Sequence, residues 1–233
     1  LSNELELPPE QVTISATHTH SGPATVALRG CGKVDRTYVD GLADTFFTAA
    51  EQARANTREA QLWFAEGRCA LGRDRRAASA LSHVDHRLPV LAFVDTDGSY
   101  IAVVANYARH NVVMSAQNRL ISADMAGSAA DYVRKRLPGD PLVLMTNGAC
   151  GNVDPPKLSA EPAVMQGFGA RLGARVLDAL RVARPEPSRL LTCMKTVRLP
   201  RALPSEAEVE DDYARLHART SGDPKWESAI ADW

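Results

Sequence analysis

Three stretches of this chain end in side chains suited to metal or acid–base chemistry. A-T-H-T-H-S-G-P carries His18 and His20 one residue apart, at the end of the run V-T-I-S-A-T. N-Y-A-R-H carries His110 at the end of another apolar run, and P-L-V-L-M-T runs into N-G-A-C-G-N-V-D-P at Asn147. Neutral imidazole nitrogens bind zinc at about 2.0–2.1 Å, and a catalytic zinc site keeps a position open for water. Residues two apart on a strand point the same way, so a strand-borne H-x-H aims both rings at one site. His18 and His20 can therefore supply part of a metal centre. Each is also readable as a hydrogen-bonded loop histidine, and for His110 alone a structural histidine is the simpler reading. What favours a site is that ligands in open α/β sheets gather at strand ends. Three such ends offer one polar crevice.

The elements that must position these residues follow from periodicity and punctuation. Val12 to Thr17 alternates and is β-branched where apolar, which predicts a strand. Asp35 can cap a helix to about Asn56, with Leu42, Phe46, Ala49, Ala50 and Ala53 as its apolar stripe. Gln61 to Cys69 reads as a strand and Gly72 to His86 as a polar, arginine-rich loop. Pro89 to Val94 and Tyr100 to Tyr107 flank T-D-G, a β-hairpin turning at Asp97-Gly98. Ser122 to Leu137 reads as a helix stopped by Pro138-Gly139. Pro141 to Thr146 reads as a buried strand. Glu161 to Val182 reads as a long helix whose Gly167, Gly169 and Gly173 suggest close packing. Leu190 to Leu199 reads as a further strand, and Ser205 to Arg219 as an acidic helix. The fold class expected is α/β, a mixed β-sheet flanked by helices with at least one hairpin.

Composition sets bounds on partners. The 233 residues are 45% hydrophobic and 24% charged, with Lys+Arg 27 against Asp+Glu 28 and a net charge of -1. That balance carries no electrostatic footprint for nucleic acid. No run is long enough to span a membrane, which leaves peripheral contact with a lipid surface open. Cys31, Cys69, Cys150 and Cys193 are far apart with no C-x-x-C, so they do not read as a thiolate zinc site. They leave the compartment open.

T-H-T-H-S-G-P, N-Y-A-R-H, I-S-A-D-M-A-G and N-G-A-C-G-N-V-D-P, in this order, resemble the neutral/alkaline non-lysosomal ceramidase family over about Val12 to Val182. Members are zinc-dependent amidases that cleave the N-acyl bond of ceramide. The resemblance implies that His18 and His110 are zinc ligands and that His20 lies beside the metal at the reacting amide. It also implies that Arg75, or Arg76 one residue on, is an active-site arginine. Asp124 could orient a ligand histidine from behind, or serve as a first-turn carboxylate favoured by the helix dipole. Asn147 and Asp154 are further candidates for contact with a ligand histidine or the substrate.

Two departures stand out. The family's remaining zinc ligands, a Glu and a Tyr, have no matching stretch here, and Glu206, Glu208 and Glu210 read as a solvated helix face. The family's Ser-Pro is Asp154-Pro155 in this chain, which bears on ceramide itself but not on amide hydrolysis. The organisation expected is a partial catalytic α/β domain over residues 1–200, with an acidic helical segment over 201–233 leading out of it. Both ends look cut relative to the family. Two other classes compete: a PHP-type metal-dependent phosphoesterase, whose opening motif is also H-x-H, and a non-catalytic ceramidase-like binding domain.

Overall fold

The structure is a computed structural model that describes residues 5–28, 33–76, 83–187, 191–200 and 203–220. The thiol of Cys31 and the part of the acidic segment beyond Thr220 lie outside the described residues. The chain divides into two compact units. One comprises the residues up to Pro23 together with Ala43–Leu191, and the other comprises Ala24–Leu42 with the residues from Thr192 on.

Helix α1 (Arg36–Ala55) begins where Asp35 accepts the Tyr38 amide through Oδ1 at 3.0 Å, as an N-cap should. None of its residues is buried.

The first unit is built on a five-stranded mixed sheet. Strand β1 (Gln61–Arg68) pairs antiparallel with β3 (Arg87–Val94), and β3 pairs antiparallel with β4 (Tyr100–Tyr107). The β3–β4 turn closes with Asp95 N–H on the Ser99 carbonyl at 2.8 Å, and Gly98 takes φ +85°, the left-handed region that glycine enters without penalty. Helix α2 (Asp124–Arg134) then carries the chain to β5 (Leu142–Asn147), which lies parallel to β4. Helix α3 (Pro162–Leu180) follows, and the two-residue β7 (Arg184–Pro185) closes the order β5-β4-β3-β1-β7.

One face of the sheet is the core. Leu88, Val90, Ala92, Val103 and Ala105 alternate inward and are at most 1% exposed. They meet Met125, Ala129 and Val133 of α2 and Leu172 and Val176 of α3. Burying each larger aliphatic here stabilises by roughly 1.5–3 kcal/mol. The helices touch through glycine: a Cβ on Gly169 would fall 2.4 Å from Ser128, and one on Gly173 would fall 2.8 Å from Tyr132. Gly167 has open space beside it and takes no part in this packing.

Three expectations change. Val12 to Thr17 forms no strand; Ile14 is 64% exposed, and only Thr19 finds a partner, in a single parallel bridge to Asn111. β-Branched residues favour extended backbone, but a strand also needs a ladder. Strand β5 is not buried: it is paired on one side only, and Leu142 and Leu144 are 63% and 48% exposed. Residues 191–199 form no strand either, and their apolar side chains face solvent; Leu190 lies outside the described residues. The first sheet takes Arg184–Pro185 on β1 instead.

A small second sheet went unforeseen. Strand β2 (Arg73–Asp74), within the stretch expected to be loop, pairs with β6 (Val153–Asp154). In the second unit, helix α4 (Glu206–Thr220) matches the acidic helix expected. It opens on a capping box, with Ser205 N–H on Glu208 Oε2 at 2.7 Å and Glu208 N–H on Ser205 Oγ at 3.3 Å.

Candidate metal centre

The parallel pairing of β4 with β5 sets Tyr107 opposite Asn147, so both strands end at the same edge of the sheet. Just past this edge the chain reaches His110, 6% exposed. Its backbone N–H donates to the Val153 carbonyl at 2.9 Å, and its Nδ1 lies 3.2 Å from the same oxygen. A carbonyl only accepts, so Nδ1 carries the proton and Nε2 keeps its lone pair.

His18 and His20 arrive by another route. The bridge between Thr19 and Asn111 brings the segment alongside the residue after His110, and His20 N–H donates to the Asn111 carbonyl at 3.3 Å. Thr19 Oγ1 donates to the Ser122 carbonyl at 2.8 Å. The Asn111 amide works in both directions, with Nδ2 donating to the Thr17 carbonyl and Oδ1 accepting Ala126 N–H at 3.2 Å. His18 takes φ +60°, a conformation that a non-glycine residue adopts only when its surroundings hold it there. The two rings therefore do not share the face of a pleated strand, as the H-x-H spacing suggested. They still meet, with Nε2 to Nε2 at 3.3 Å.

The three imidazoles converge. Ring centroids are 4.7 Å apart for His18–His20, 4.7 Å for His18–His110 and 5.8 Å for His20–His110. One nitrogen from each lies within 4.8 Å of the others, a limit somewhat wider than the roughly 4 Å that two zinc–nitrogen bonds can span, so the rings would draw closer around a shared ion. No carboxylate or thiolate joins them at that distance among the described residues. Burial and, secondarily, the neighbouring His110 hold His18 and His20 below the ordinary histidine pKa, while Asp124 and Asp154 pull His20 partway back. Unprotonated rings in contact are the donor set a borderline-soft dication takes, so the residues present fit a metal ion.

The other expected site residues divide. Arg75 clasps the Gly151 carbonyl through Nε at 3.1 Å and Nη2 at 2.9 Å, and its charge bears on both His18 and His20. Its neighbour Arg76 sets its backbone N–H on Asp74 Oδ1 at 2.9 Å. Asp154 Oδ1 lies 3.7 Å from His110 Nδ1 and 3.7 Å from Arg75 Nη1. Asp124 is buried, and its carboxylate accepts three backbone amides, from Val113 at 3.2 Å, Met114 at 2.8 Å and Met125 at 2.6 Å. It steadies the segment after His110 and bonds to no histidine ring. Asn147 accepts Arg109 N–H at 3.3 Å and thereby ties the end of β5 to the residue before His110.

Sequence reasoning passed over two residues. Asn111, next to His110, ties the His18–His20 segment and the start of α2 together, and an Asn beside a His carries no signal of its own. Arg109 is 1% exposed, with Nη1 on the Leu71 carbonyl at 3.3 Å and its guanidinium 5.4 Å from the Phe168 ring centroid. Burial pushes it down to about 10, and its Nη2 has no partner among the described residues.

A mixed α/β sheet with three imidazoles gathered beside one of its edges marks a candidate metal-centre protein. The profile described as neutral/alkaline non-lysosomal ceramidase, N-terminal, matches residues 8–143, and the chain belongs to that family. It is 30% identical over 137 residues to the neutral ceramidase of Pseudomonas aeruginosa, covering 51% of this chain and 20% of that one. To neutral ceramidase A of Dictyostelium discoideum it is 29% identical over 147 residues, covering 56% and 21%. The chain thus spans about a fifth of the length of these curated relatives. The crystal structure of the Pseudomonas aeruginosa enzyme superposes with a TM-score of 0.61 at 21% identity over 72% of this chain and 31% of that one. A ceramidase complexed with C2 gives 0.62 at 20% identity over 72% and 30%. At these identities the structural likeness speaks for the fold.

Proposed function

We propose that this chain carries the histidine part of the centre of a zinc-dependent hydrolase that cleaves an amide, the N-acyl bond of ceramide or of a related N-acyl lipid. The observation that carries this reading is the convergence of His18, His20 and His110 in a chain of this family. His18 and His110 hold the zinc. When bound, zinc supplies Lewis acidity for an amide carbonyl and acidifies water toward a pKa of about 7.

The chain's own residues do the rest. His110 keeps Nε2 available because Nδ1–H is committed to the Val153 carbonyl. His20 is uncharged near neutral pH, so it can take a proton at Nε2 and return it to the departing amine. Arg75, pinned on Gly151, adds positive potential where negative charge develops on the amide oxygen. Peripheral contact with a lipid surface would bring an N-acyl lipid to the site. Among the described residues no helix is long and apolar enough to cross a membrane.

The test is metal analysis with turnover assays on the complete protein and on its His18→Ala variant; the chain by itself should bind zinc weakly and turn over poorly. Zinc-dependent release of fatty acid from an N-acylsphingosine, lost in the variant, supports the reading. Phosphoester turnover instead points to the phosphoesterase class. Zinc and lipid binding without turnover points to a binding domain.

A further inference from the structure

Asp154 stands where the resemblance to the family expects serine, and it sits between two parts of the site. Its Oδ1 is 3.7 Å from Arg75 Nη1 and 3.7 Å from His110 Nδ1. It is not placed as a ligand: it faces the nitrogen of His110 that already donates to the Val153 carbonyl, and it does not join the nitrogen cluster. Its position is built in. Strand β6 pairs Asp154 with Arg73, Arg75 N–H donates to the Asn152 carbonyl at 2.8 Å, and Asn152 Nδ2 donates to Asp74 Oδ2 at 2.9 Å. These bonds hold the arginine and the carboxylate side by side against His110.

That arrangement answers an electrostatic problem. A guanidinium whose charge reaches His18 and His20 repels any cation those rings would hold. Cancelling it locally requires an anion near both the arginine and the rings but outside the ligand set. We propose that Asp154 is a positioning residue that anchors Arg75 and supplies the counter-charge allowing His18 and His110 to hold a divalent cation beside a guanidinium. This rests on the metal-site reading above.

Opposite signs for the two partners follow. Removing the carboxylate leaves Arg75 uncompensated and weakens metal binding. Removing the guanidinium leaves the carboxylate uncompensated and leaves metal binding unchanged or tighter. A merely structural brace would weaken it in both cases.

The experiment measures the zinc affinity of the full chain by competition with a chromogenic chelator, with melting temperatures as a folding control. Asp154→Asn and Asp154→Ser should each lower affinity about 10-fold or more, in the range seen for residues behind a ligand histidine. Arg75→Met should match or exceed the parent, and Asp154→Asn with Arg75→Met should return to within about 3-fold of it, a non-additive pair. High salt should narrow the gap between Asp154→Asn and the parent. Parent-like affinity in both Asp154 variants, or weakened affinity in Arg75→Met, overturns the proposal. His110→Ala separates the two levels. Zinc lost there but unchanged in the Asp154 variants sinks the counter-charge alone, whereas zinc unchanged in His110→Ala sinks the metal site and the proposal with it.

Discussion

His110 and the His18–His20 pair come to one point with different support. His110 follows a strand that is paired on both sides, and it is 6% exposed. Its ring and backbone both bond to Val153. His18 and His20 are exposed, on a segment with one bridge to the rest of the unit and a left-handed residue in its middle. One side of the centre is thus fixed by the sheet, and the other by a few hydrogen bonds to Asn111 and Ser122. The difference teaches that a cluster of rings can be gathered by side-chain and single backbone bonds where no ladder exists. Such a side should be the softer one.

Substitutions can break that contrast. The largest expected effect is on the proposed chemistry: in the complete protein, His20→Ala should cost about 10²- to 10⁴-fold in amide turnover, as loss of a positioned acid–base group does. Zinc should largely remain in that variant. His110→Ala should instead cost zinc affinity by more than the roughly 10- to 100-fold seen for outer residues, since a ligand itself is lost. Equal zinc loss in both variants, read by chelator competition, would show that the division of roles is wrong.

Asn111→Ala sharpens the comparison at smaller amplitude. It strands the Ala126 amide and frees the Thr17 carbonyl, and the buried unsatisfied donor should cost about 1–3 kcal/mol. Its more telling consequence is a zinc affinity about 10-fold lower, because the His18–His20 side loses its tether while His110 keeps Val153. Unchanged affinity in a folded Asn111→Ala variant would mean that the soft side is held by something else.

The smallest effect is on pH dependence of the metal-free chain. His18 and His20 titrate below their ordinary 6.5 when folded. Above that pH neither state binds the proton, and the pair contributes no pH dependence. As pH falls below it, the unfolded chain protonates first and stability declines until the folded rings protonate too. Melting temperature should therefore drop on acidification from about pH 7 to pH 6, and less so in a chain lacking both rings. A flat profile in the parent contradicts neutral, crowded imidazoles.

Much of this frame is legible in the sequence, because local periodicity dictates it. The hairpin at Asp97-Gly98, the cap at Asp35, α2, α3 and the strands β1, β3, β4 and β5 all follow from patterns within about a dozen residues. The resemblance marked His18, His20 and His110, and the folded chain brings them together. What was hidden is non-local. The β2–β6 pairing joins residues some eighty positions apart and carries no periodic signal. The Asn111 hub is invisible because its partners, at Thr17 and Ala126, are backbone groups. The apolar alternation of Val12 to Thr17 misled because propensity cannot supply a partner strand. His18 and His20 consequently converge without the strand that the H-x-H spacing implies.

The most direct measurement is X-ray absorption at the zinc edge of the zinc-loaded chain, with His18→Ala and His110→Ala beside it. The account predicts nitrogen and oxygen donors at about 2.0–2.1 Å with imidazole scattering that diminishes in each variant. A sulfur shell at about 2.3 Å, or imidazole scattering unchanged when His18 and His110 are removed, would contradict it.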